Sequence, residues 1–515
     1  MSAKFPEYKG LDLPNIAEEI LKYWEENNIF EKSVTIREGK DPYVFFEGPP
    51  SANGLPGVHH VLARAIKDIF PRYKTMKGYQ VKRKAGWDTH GLPIELGVEK
   101  ELGITKEDIG KKISVEDYNA ACRKAVMRYT HIWNNLTQKM GYWVDMDDPY
   151  ITYEPKYMES VWWLLKEIYN KKLIYKGYTI QPYSPKAGTG LSSHELNQPG
   201  TYQDVTDTTI VAQFKALENT LPAFLQNHGM VYFLAWTTTP WTLPSNTALT
   251  VGPKIEYVLV DTYNQYTFEA TKVILAKNLV GKQFGGKNNF QVEEAEELSA
   301  YNSGDKKIPF YVIKEFIGKD LVGVKYEQIL DYVLPNDNPQ DAFRVISGDF
   351  VTTEDGTGIV HTAPTFGADD ALVAKQAVPE IPPMLVKDEN GNLVPLVDLQ
   401  GKFRPEVTDF SGKYVKNEYY PEGQAPEKSV DVELAIKLKT ENKAFKVEKY
   451  KHSYPNCWRT DKPILYYPLD SWFIKVTDVK DRMHSLNKTI NWKPESTGTG
   501  RFGNWLANAN DWNLS

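Results

Sequence analysis

One stretch of the sequence constrains the fold of this chain most. It consists of a short apolar run, a loop rich in glycine and proline, and a segment with apolar residues at helical spacing. The run covers 43–46 (Tyr-Val-Phe-Phe), the loop covers 48–54 (Gly-Pro-Pro-Ser-Ala-Asn-Gly), and apolar residues recur at helical spacing over 61–69. This order predicts a strand, a tight loop and a helix N-terminus. Such a terminus attracts anions through its free N–H groups and its dipole. Because His59 and His60 at the helix start can donate hydrogen bonds to phosphate oxygens, the pattern indicates nucleotide chemistry.

Further motifs follow in one order along the chain. They are Gly-Trp-Asp-Thr-His-Gly-Leu-Pro-Ile-Glu at 86–95, Trp-Thr-Thr-Thr-Pro-Trp-Thr-Leu-Pro at 236–244, Gly-Thr-Gly-Ile-Val-His-Thr-Ala-Pro at 356–364, and Asp-Trp-Asn-Leu-Ser at 511–515. Together with 48–60 they resemble the class I aminoacyl-tRNA synthetases over essentially the whole chain. The motif at 86–95 is similar to the isoleucyl members and differs from the leucyl and valyl ones.

The resemblance implies an α/β fold: a Rossmann-type class I synthetase catalytic core, incomplete in this chain, interrupted by a largely β editing domain (a CP1-like insertion). We expect an N-terminal helical appendage at 1–40, the first half of the catalytic domain at 41–190 and the editing domain at 191–400. A connecting segment at 401–460 and the start of the second catalytic half at 461–515 follow. Since no Lys-Met-Ser-Lys pattern occurs, we expect the chain to be roughly the N-terminal half of such a protein.

Composition further narrows the class of protein to which the chain can belong. The net charge of −6 shows no overall basic field for nucleic acid, although the basic strip 82–84 leaves local RNA contact open. Two distant cysteines fit a reducing compartment and predict no metal site within the chain. No signal-peptide core and no run of 18 apolar residues is present, so we expect a cytoplasmic protein without a membrane segment. The resemblance implies a monomer.

Local patterns predict the remaining elements. An amphipathic helix is expected over 15–31 with Asn15 as its cap. Further helices are expected at about 115–140, 155–172 and 430–441. Short β-like runs are expected at 208–214, 231–237, 256–260, 310–312 and 358–362, and a β-rich tract at 464–476.

By resemblance, the first motif binds ATP with Mg²⁺ and stabilises attack of an amino-acid carboxylate on the α-phosphate. Such catalysis is positioning and electrostatics. The implied catalytic residues are His59 and His60, and the implied ATP-binding residues are Gly48, Pro50, Asn53, Gly54, Gly57, His59, His60 and Gly503. The family pattern is His-Ile-Gly-His, whereas this chain has Gly-Val-His-His at 57–60. Three interpretations stay open: His59 supplies the phosphate contact from a shifted position, the change adapts the pocket against a competitor, or activation is lost.

The substrate implied by the resemblance is L-isoleucine, which is transferred to tRNA(Ile). The implied isoleucine-binding residues are Pro49, Asp88, Trp472, Asn508 and Trp512. Asp88 is a candidate for the α-ammonium, and Asn508 is expected one helical turn before Trp512 so that both face one cavity. Nearby His90 either contacts the ligand or supports the loop.

An apolar pocket cannot strongly reject an amino acid smaller by one methylene, and the isoleucyl members of the family that this chain resembles are the standard example of this limit. Valyl-tRNA(Ile) must therefore be hydrolysed at a second site. Residues Thr237, Thr238 and Thr239 on a strand, with His361 and Asp370 after a glycine-rich turn, match the family's editing pocket. By resemblance, Asp370 binds the ammonium, the hydroxyls bind the 3′ adenosine and the attacking water, and the histidine lies at the rim. The neighbouring Asp369 is expected to cap the turn.

Two other functions compete with the synthetase hypothesis. A chain with a whole editing domain could act only as a deacylase of mischarged tRNA. Alternatively, it could be a tRNA-binding or regulatory paralogue, which would give the threonine run and its partners no reason to occur together.

Overall fold

The computed structural model describes residues 10–514, and its contacts divide the chain into two compact units between Ile174 and Tyr175. The first unit contains a three-stranded parallel sheet, which pairs in the order of the chain. Its strands are Pro42–Phe46, Gln80–Trp87 and Asp145–Ile151. Parallel neighbours need a crossover connection, and the helix Val58–Met76 supplies it between the first two strands. The predicted strand–loop–helix–strand unit is therefore present.

The helices of the first unit are Leu13–Glu26, Ile29–Thr35, Val58–Met76, Leu92–Leu102, Val115–Val126, Thr130–Lys139 and Pro155–Asn170. The single helices predicted for 15–31 and 115–140 were wrong, because each is two helices. In the first case Asn28 adopts a left-handed conformation with φ of 48°, which ends one helix before the next begins. Asp12, rather than Asn15, caps the first helix by accepting the Asn15 N–H at 3.4 Å.

The second unit is largely β. Its strands are Ile174–Ser184, Thr189–Gly190, Tyr202–Lys215, Val231–Thr237, Ala248–Val251, Glu256–Tyr263, Ala270–Ala276, Asn289–Gln291, Ile308–Ile317, Arg344–Ser347, Ile359–Thr362, Leu385–Lys387, Leu393–Pro395, Ala444–Cys457, Lys462–Pro463, Leu465–Ile474 and Trp512–Asn513. Its α-helices are Ser193–Leu196, Val280–Gln283, Ala368–Gln376, Val430–Thr440, Lys480–Asn487, Glu495–Thr499 and Arg501–Ala507. A 3₁₀ helix, Pro240–Ser245, follows the threonine run.

One strand organises the large mixed sheet of this unit. The threonine strand, Val231–Thr237, pairs along one edge with Tyr202–Lys215. Its other edge pairs first with Ala270–Ala276 and then with the histidine strand, Ile359–Thr362. Strands paired on both edges and covered on both faces read as continuous apolar runs, and six of the seven residues of the threonine strand are buried. The central position fixes the strand's carboxyl end, where the threonines lie.

A long antiparallel ribbon extends from the same sheet. The ribbon pairs Tyr202–Lys215 with Ala444–Cys457, from Ala212 opposite Ala444 to Tyr202 opposite Pro455. Separately, Ile174–Ser184 lies in a four-stranded sheet beside Leu465–Ile474. The domain boundaries expected from the sequence stay predictions.

Candidate functional site

The candidate editing cavity lies where two adjacent parallel strands end. Because Trp236 pairs with Val360 in parallel, Thr237 and His361 come to the same edge of the sheet. A cavity of about 340 Å³ opens there. It is lined by Trp236, Thr237, Thr238, Thr239, Thr242, Phe350, Thr352, Asp355, Gly356, Thr357, Gly358, Ile359, Val360, His361, Ala363, Phe366 and Asp370. All five residues predicted for the editing pocket therefore share one cavity.

The turn before the histidine strand needs its glycines. Gly356 and Gly358 have φ of 75° and 74°, a region that side chains rarely adopt. A Cβ at Gly358 would lie 2.4 Å from Ala276 Cβ, and one at Gly356 would lie 2.9 Å from the ring of Trp236. Because neither glycine carries a side chain, the turn can lie close against Ala276 and Trp236 at the cavity wall.

The threonine run was predicted to lie on a strand, which is correct only for its first residue. The strand ends at Thr237, and Thr238 and Thr239 lie between it and the 3₁₀ helix that begins at Pro240. Proline at that position has no N–H to continue a ladder, which favours the break. The Thr237 hydroxyl accepts the Thr239 N–H at 3.1 Å, so the run turns back on itself at the edge of the cavity.

The histidine was expected at the rim, and this was wrong: the side chain of His361 is only 7% exposed and both ring nitrogens contact protein. The Asn246 Nδ2 lies 2.8 Å from the Ala248 carbonyl and 2.8 Å from His361 Nδ1. Since a carbonyl only accepts, that nitrogen is a donor, and the ring Nδ1 must be the acceptor.

The hydrogen bonds of this network consequently all run in one direction from donor to acceptor. Tyr326 donates to Asn246 Oδ1 at 2.7 Å, and Asn246 donates to His361 Nδ1. The His361 Nε2–H then donates to Thr242 Oγ1 at 3.0 Å, and Thr242 donates to the Thr239 carbonyl at 2.8 Å. Burial lowers the pKa of His361 to about 3, which keeps the ring neutral. We call this chain of donors, from Tyr326 to Thr239, the histidine relay.

Asp370 is the acidic group of the cavity that has no basic partner within residues 10–514. It lies in the first turn of Ala368–Gln376, where the helix dipole favours a carboxylate. Its Oδ2 accepts the Ala363 N–H at 2.9 Å, and burial raises its pKa to about 6. The expectation that Asp369 caps the turn was wrong, because Asp370 makes this bond and Asp369 is exposed beside a different cavity.

Several residues of this site were not predicted from the sequence. Thr242 stands inside the 236–244 motif and Asn246 lies just after it, so their nearness to the threonines was the available signal. Tyr326 carries no local signal, because only the tertiary fold brings it to Asn246. Asp355 also lines the cavity, but it is paired with Lys282.

A second cavity, of about 460 Å³, lies in the first unit beside the loop and helix start. It is lined by Glu47, Gly48, Pro49, Pro50, Ser51, Asn53, Gly54, Leu55, His60, Ala63, Arg64, Lys67 and Trp133. Five of the predicted ATP-binding residues and Pro49 are therefore together. Gly57 and His59 are not among these lining residues, and the side chain of His59 is exposed.

The ring of His60 has a defined orientation in this cavity. Its Nδ1 accepts the Gly57 N–H at 2.9 Å, so the neutral ring carries its proton on Nε2. Burial, followed by the nearby His59 and Arg64, lowers the pKa of His60. Its ring packs edge-on against Trp133 at 4.7 Å, and Trp133 donates to the Gly54 carbonyl at 2.9 Å, which fixes the loop.

The Trp-Asp loop is built on backbone and hydroxyl contacts. The Asp88 N–H donates to the Pro50 carbonyl at 3.1 Å, and the Asp88 carboxylate accepts the His90 N–H at 3.4 Å. His90 Nδ1 lies 3.0 Å from the Thr152 hydroxyl, a contact that supports the loop. Asp88 is not among the residues that line the cavity.

The remaining predicted residues belong to the second unit. Trp472 and Trp512 lie on paired strands on the same face, and their side chains are 50% and 61% exposed. The expected helical spacing of Asn508 and Trp512 was wrong: the helix ends at Ala507, and Trp512 is in a strand opposite Ile474. Gly503 is buried, and a Cβ there would lie 2.6 Å from the Gly498 carbonyl oxygen.

Residues 10–514 lack two kinds of feature. Within 10–514, no three His, Cys, Asp or Glu side chains are grouped so that they could hold a metal ion. In the same part of the chain, no helix is both long enough and apolar enough to cross a membrane.

Comparison with known proteins agrees with the motifs. The family described as tRNA synthetases class I (I, L, M and V) matches residues 19–515. An isoleucine–tRNA ligase of Cytophaga hutchinsonii is 63% identical over 98% of this chain and 45% of its own length. One from Bacteroides fragilis is 62% identical over 100% of this chain and 46% of its own length. The chain thus spans less than half the length of these relatives. A solved Agrobacterium radiobacter LeuRS–tRNA–LeuAMS complex covers 89% of this chain and 49% of its own, with 15% identity and a TM-score of only 0.29.

Proposed function

Because this chain belongs to the tRNA synthetases class I (I, L, M and V), we propose that it activates L-isoleucine with ATP and Mg²⁺. The product, isoleucyl-adenylate, is then used to charge tRNA(Ile). The second unit hydrolyses valyl-tRNA(Ile). The observation that carries this proposal is the single cavity that brings together the threonine run, His361 and Asp370, in a chain more than 60% identical to isoleucine–tRNA ligases.

In the cavity of the first unit, the hydrogen-bond donors suit a triphosphate. Arg64 and the His60 Nε2–H line it, and Lys67 lines it as well, paired with Glu47. Charge developing on a phosphoryl group is stabilised by such preorganised donors. We assign His60 the phosphate contact, with Gly48, Pro50, Asn53 and Gly54 forming the loop around ATP. Catalytic contact by His59, ATP contact by Gly57 or Gly503, and isoleucine contact by Pro49, Asp88, Trp472, Asn508 or Trp512 stay predictions.

In the editing cavity, the residue types fit hydrolysis of an aminoacyl ester. Asp370 holds the ammonium of valine, because a carboxylate without a basic partner is the natural counter-charge. The hydroxyls of the threonine run bind the terminal ribose and the attacking water. His361 keeps both ring nitrogens within the relay, so it contributes by shape and by holding Thr239 rather than by proton transfer.

The alternative is a deacylase that acts only on mischarged tRNA, which the complete editing cavity favours. One experiment separates the two functions. Isoleucine-dependent ATP–pyrophosphate exchange is measured on the whole gene product, and hydrolysis of valyl-tRNA(Ile) is measured beside it. Both activities are expected, and hydrolysis without exchange would leave only the deacylase. Exchange without hydrolysis would remove the editing function from the second unit.

A further inference from the structure

A buried carboxylate outside the editing cavity reaches the main chain that follows the threonines. Asp431 lies in the first turn of Val430–Thr440 and is 5% exposed. Its Oδ1 accepts the N–H of Trp241 at 3.0 Å, across 190 positions of sequence. Since Pro240 has no N–H, Trp241 is the first residue of the 3₁₀ helix able to donate, and no carbonyl of that helix can accept from it.

The residue held by this bond packs against a side chain that lines the cavity. The side chain of Trp241 is 3% exposed, and its ring packs edge-on against Phe366 at 5.0 Å. Phe366 lines the cavity. The next residue, Thr242, ends the histidine relay at the Thr239 carbonyl. Moving the Trp241 backbone would therefore move both a wall of the cavity and the threonine run.

A buried lysine lies beside this carboxylate. Lys416 Nζ lies 4.0 Å from Asp431 Oδ2 and 3.0 Å from Asp207 Oδ2, and Lys416 is 6% exposed. Burial raises the pKa of Asp431 to about 7, and Lys416 opposes that shift. Asp207 belongs to Tyr202–Lys215, the strand that pairs with the threonine strand. The three charges thus connect the helix, the ribbon and the threonine segment.

We propose that Asp431 is a positioning residue of the editing cavity: it fixes the Trp241 main chain and, through it, the orientation of Thr237–Thr239. This inference rests on the proposed editing function. Misplacing groups that orient the reacting atoms reduces turnover more than binding. Loss of the Asp431 acceptor therefore lowers kcat for deacylation and changes KM little.

The test compares Asp431→Leu, which removes the acceptor at similar volume, with Asp431→Asn, which keeps an oxygen for the Trp241 N–H. We expect Asp431→Leu to lower kcat for valyl-tRNA(Ile) hydrolysis by at least about tenfold, with KM little changed, and Asp431→Asn to restore most of the rate. Glu433→Gln is the matched control, because Glu433 is in the same helix turn but pairs with Lys413 at 2.6 Å. This control should deacylate at the unmodified rate.

Hydrogen exchange of the Trp241 amide gives a readout independent of activity. Exchange should accelerate in Asp431→Leu and stay slow in Asp431→Asn and Glu433→Gln. Unchanged exchange in Asp431→Leu, or faster exchange with an unchanged kcat, would overturn the positioning role. If Asp431→Leu does not fold, Asp431→Glu, whose carboxylate is displaced by one methylene, is judged by the same two measurements. Absence of hydrolysis in the unmodified protein would instead refute the editing function, while the exchange data would still test the Asp431 bond.

Discussion

Replacing Asp370 by Asn should separate editing from stability. The amide oxygen of Asn can still accept the Ala363 N–H, which is held at 2.9 Å in the parent. The side chain keeps its size but loses the charge proposed to bind the ammonium of valine. Hydrogen bonds to charged groups contribute about 1.5–3 kcal/mol, which corresponds to about 10- to 150-fold in kcat/KM for valyl-tRNA(Ile) hydrolysis.

Stability should change in the opposite direction. The pKa of Asp370 is about 6 in the folded protein against 3.8 for the unperturbed group. A carboxyl with a raised folded pKa binds its proton more readily when folded, so its ionisation costs stability as pH rises from the unfolded value through the folded one. Above pH 6 the cost is about 1–3 kcal/mol, and Asp370→Asn removes it. The increase in melting temperature of the variant over the parent should therefore be larger at pH 7.5 than at pH 5.

Hydrolysis of valyl-tRNA(Ile) and thermal melting are measured on the same preparations. Isoleucine-dependent pyrophosphate exchange by the whole gene product is the control. It is proposed to take place at the cavity of the first unit, so it should stay unchanged. An Asp370→Asn protein that hydrolyses valyl-tRNA(Ile) at the parent rate would refute the role of the carboxylate. A variant that loses both hydrolysis and stability would show that the carboxylate is structural.

Three further outcomes follow from the two cavities. The kcat/KM for hydrolysis should fall as pH falls through about 6, because protonated Asp370 no longer attracts the ammonium, and a flat profile from pH 7 to 5 would contradict this. In Asn246→Asp the donor facing His361 Nδ1 becomes an acceptor, so the proton of the ring should move from Nε2 to Nδ1. Two-bond proton–nitrogen correlation spectra report the tautomer, and an unchanged tautomer would disprove the relay. Gly57→His should raise the KM for ATP in pyrophosphate exchange more than the double change Gly57→His with His59→Gly does. The reason is that a Cβ at Gly57 would lie 2.8 Å from the His59 ring. Equal KM values for the two variants would show that this crowding does not matter.

The sequence was sufficient where chemistry follows directly from local order. The strand, loop and helix beside the cavity of the first unit could be predicted from the apolar run and the glycine-rich loop alone, and every residue of 48–54 except Ala52 lines that cavity. The threonine run and His361 could be assigned to one pocket by resemblance. What the sequence could not give was the burial of His361, since that depends on Asn246 and on Tyr326, which lies far along the chain.

Two of the wrong expectations share a physical cause. Both assumed that neighbouring positions in sequence determine where a side chain acts. Asn508 and Trp512 are four positions apart, but the helix ends between them and a strand begins. Likewise Asp369 and Asp370 are adjacent, yet only one faces Ala363, because successive helical residues point about 100° apart.

The distribution of charge is compatible with the two anionic substrates proposed for this acidic chain. The net charge is −6, yet the cavity of the first unit, where a triphosphate would bind, is lined by Arg64, by the neutral donor His60 and by Lys67, which pairs with Glu47. In the editing cavity, Asp355 is neutralised by Lys282 and leaves Asp370 as the carboxylate without a basic partner among residues 10–514. A single carboxylate suits one ammonium, whereas a second unpaired one would repel the tRNA phosphates that must enter with it. Pairing of Asp355 would therefore favour entry of the aminoacylated RNA end proposed as the substrate.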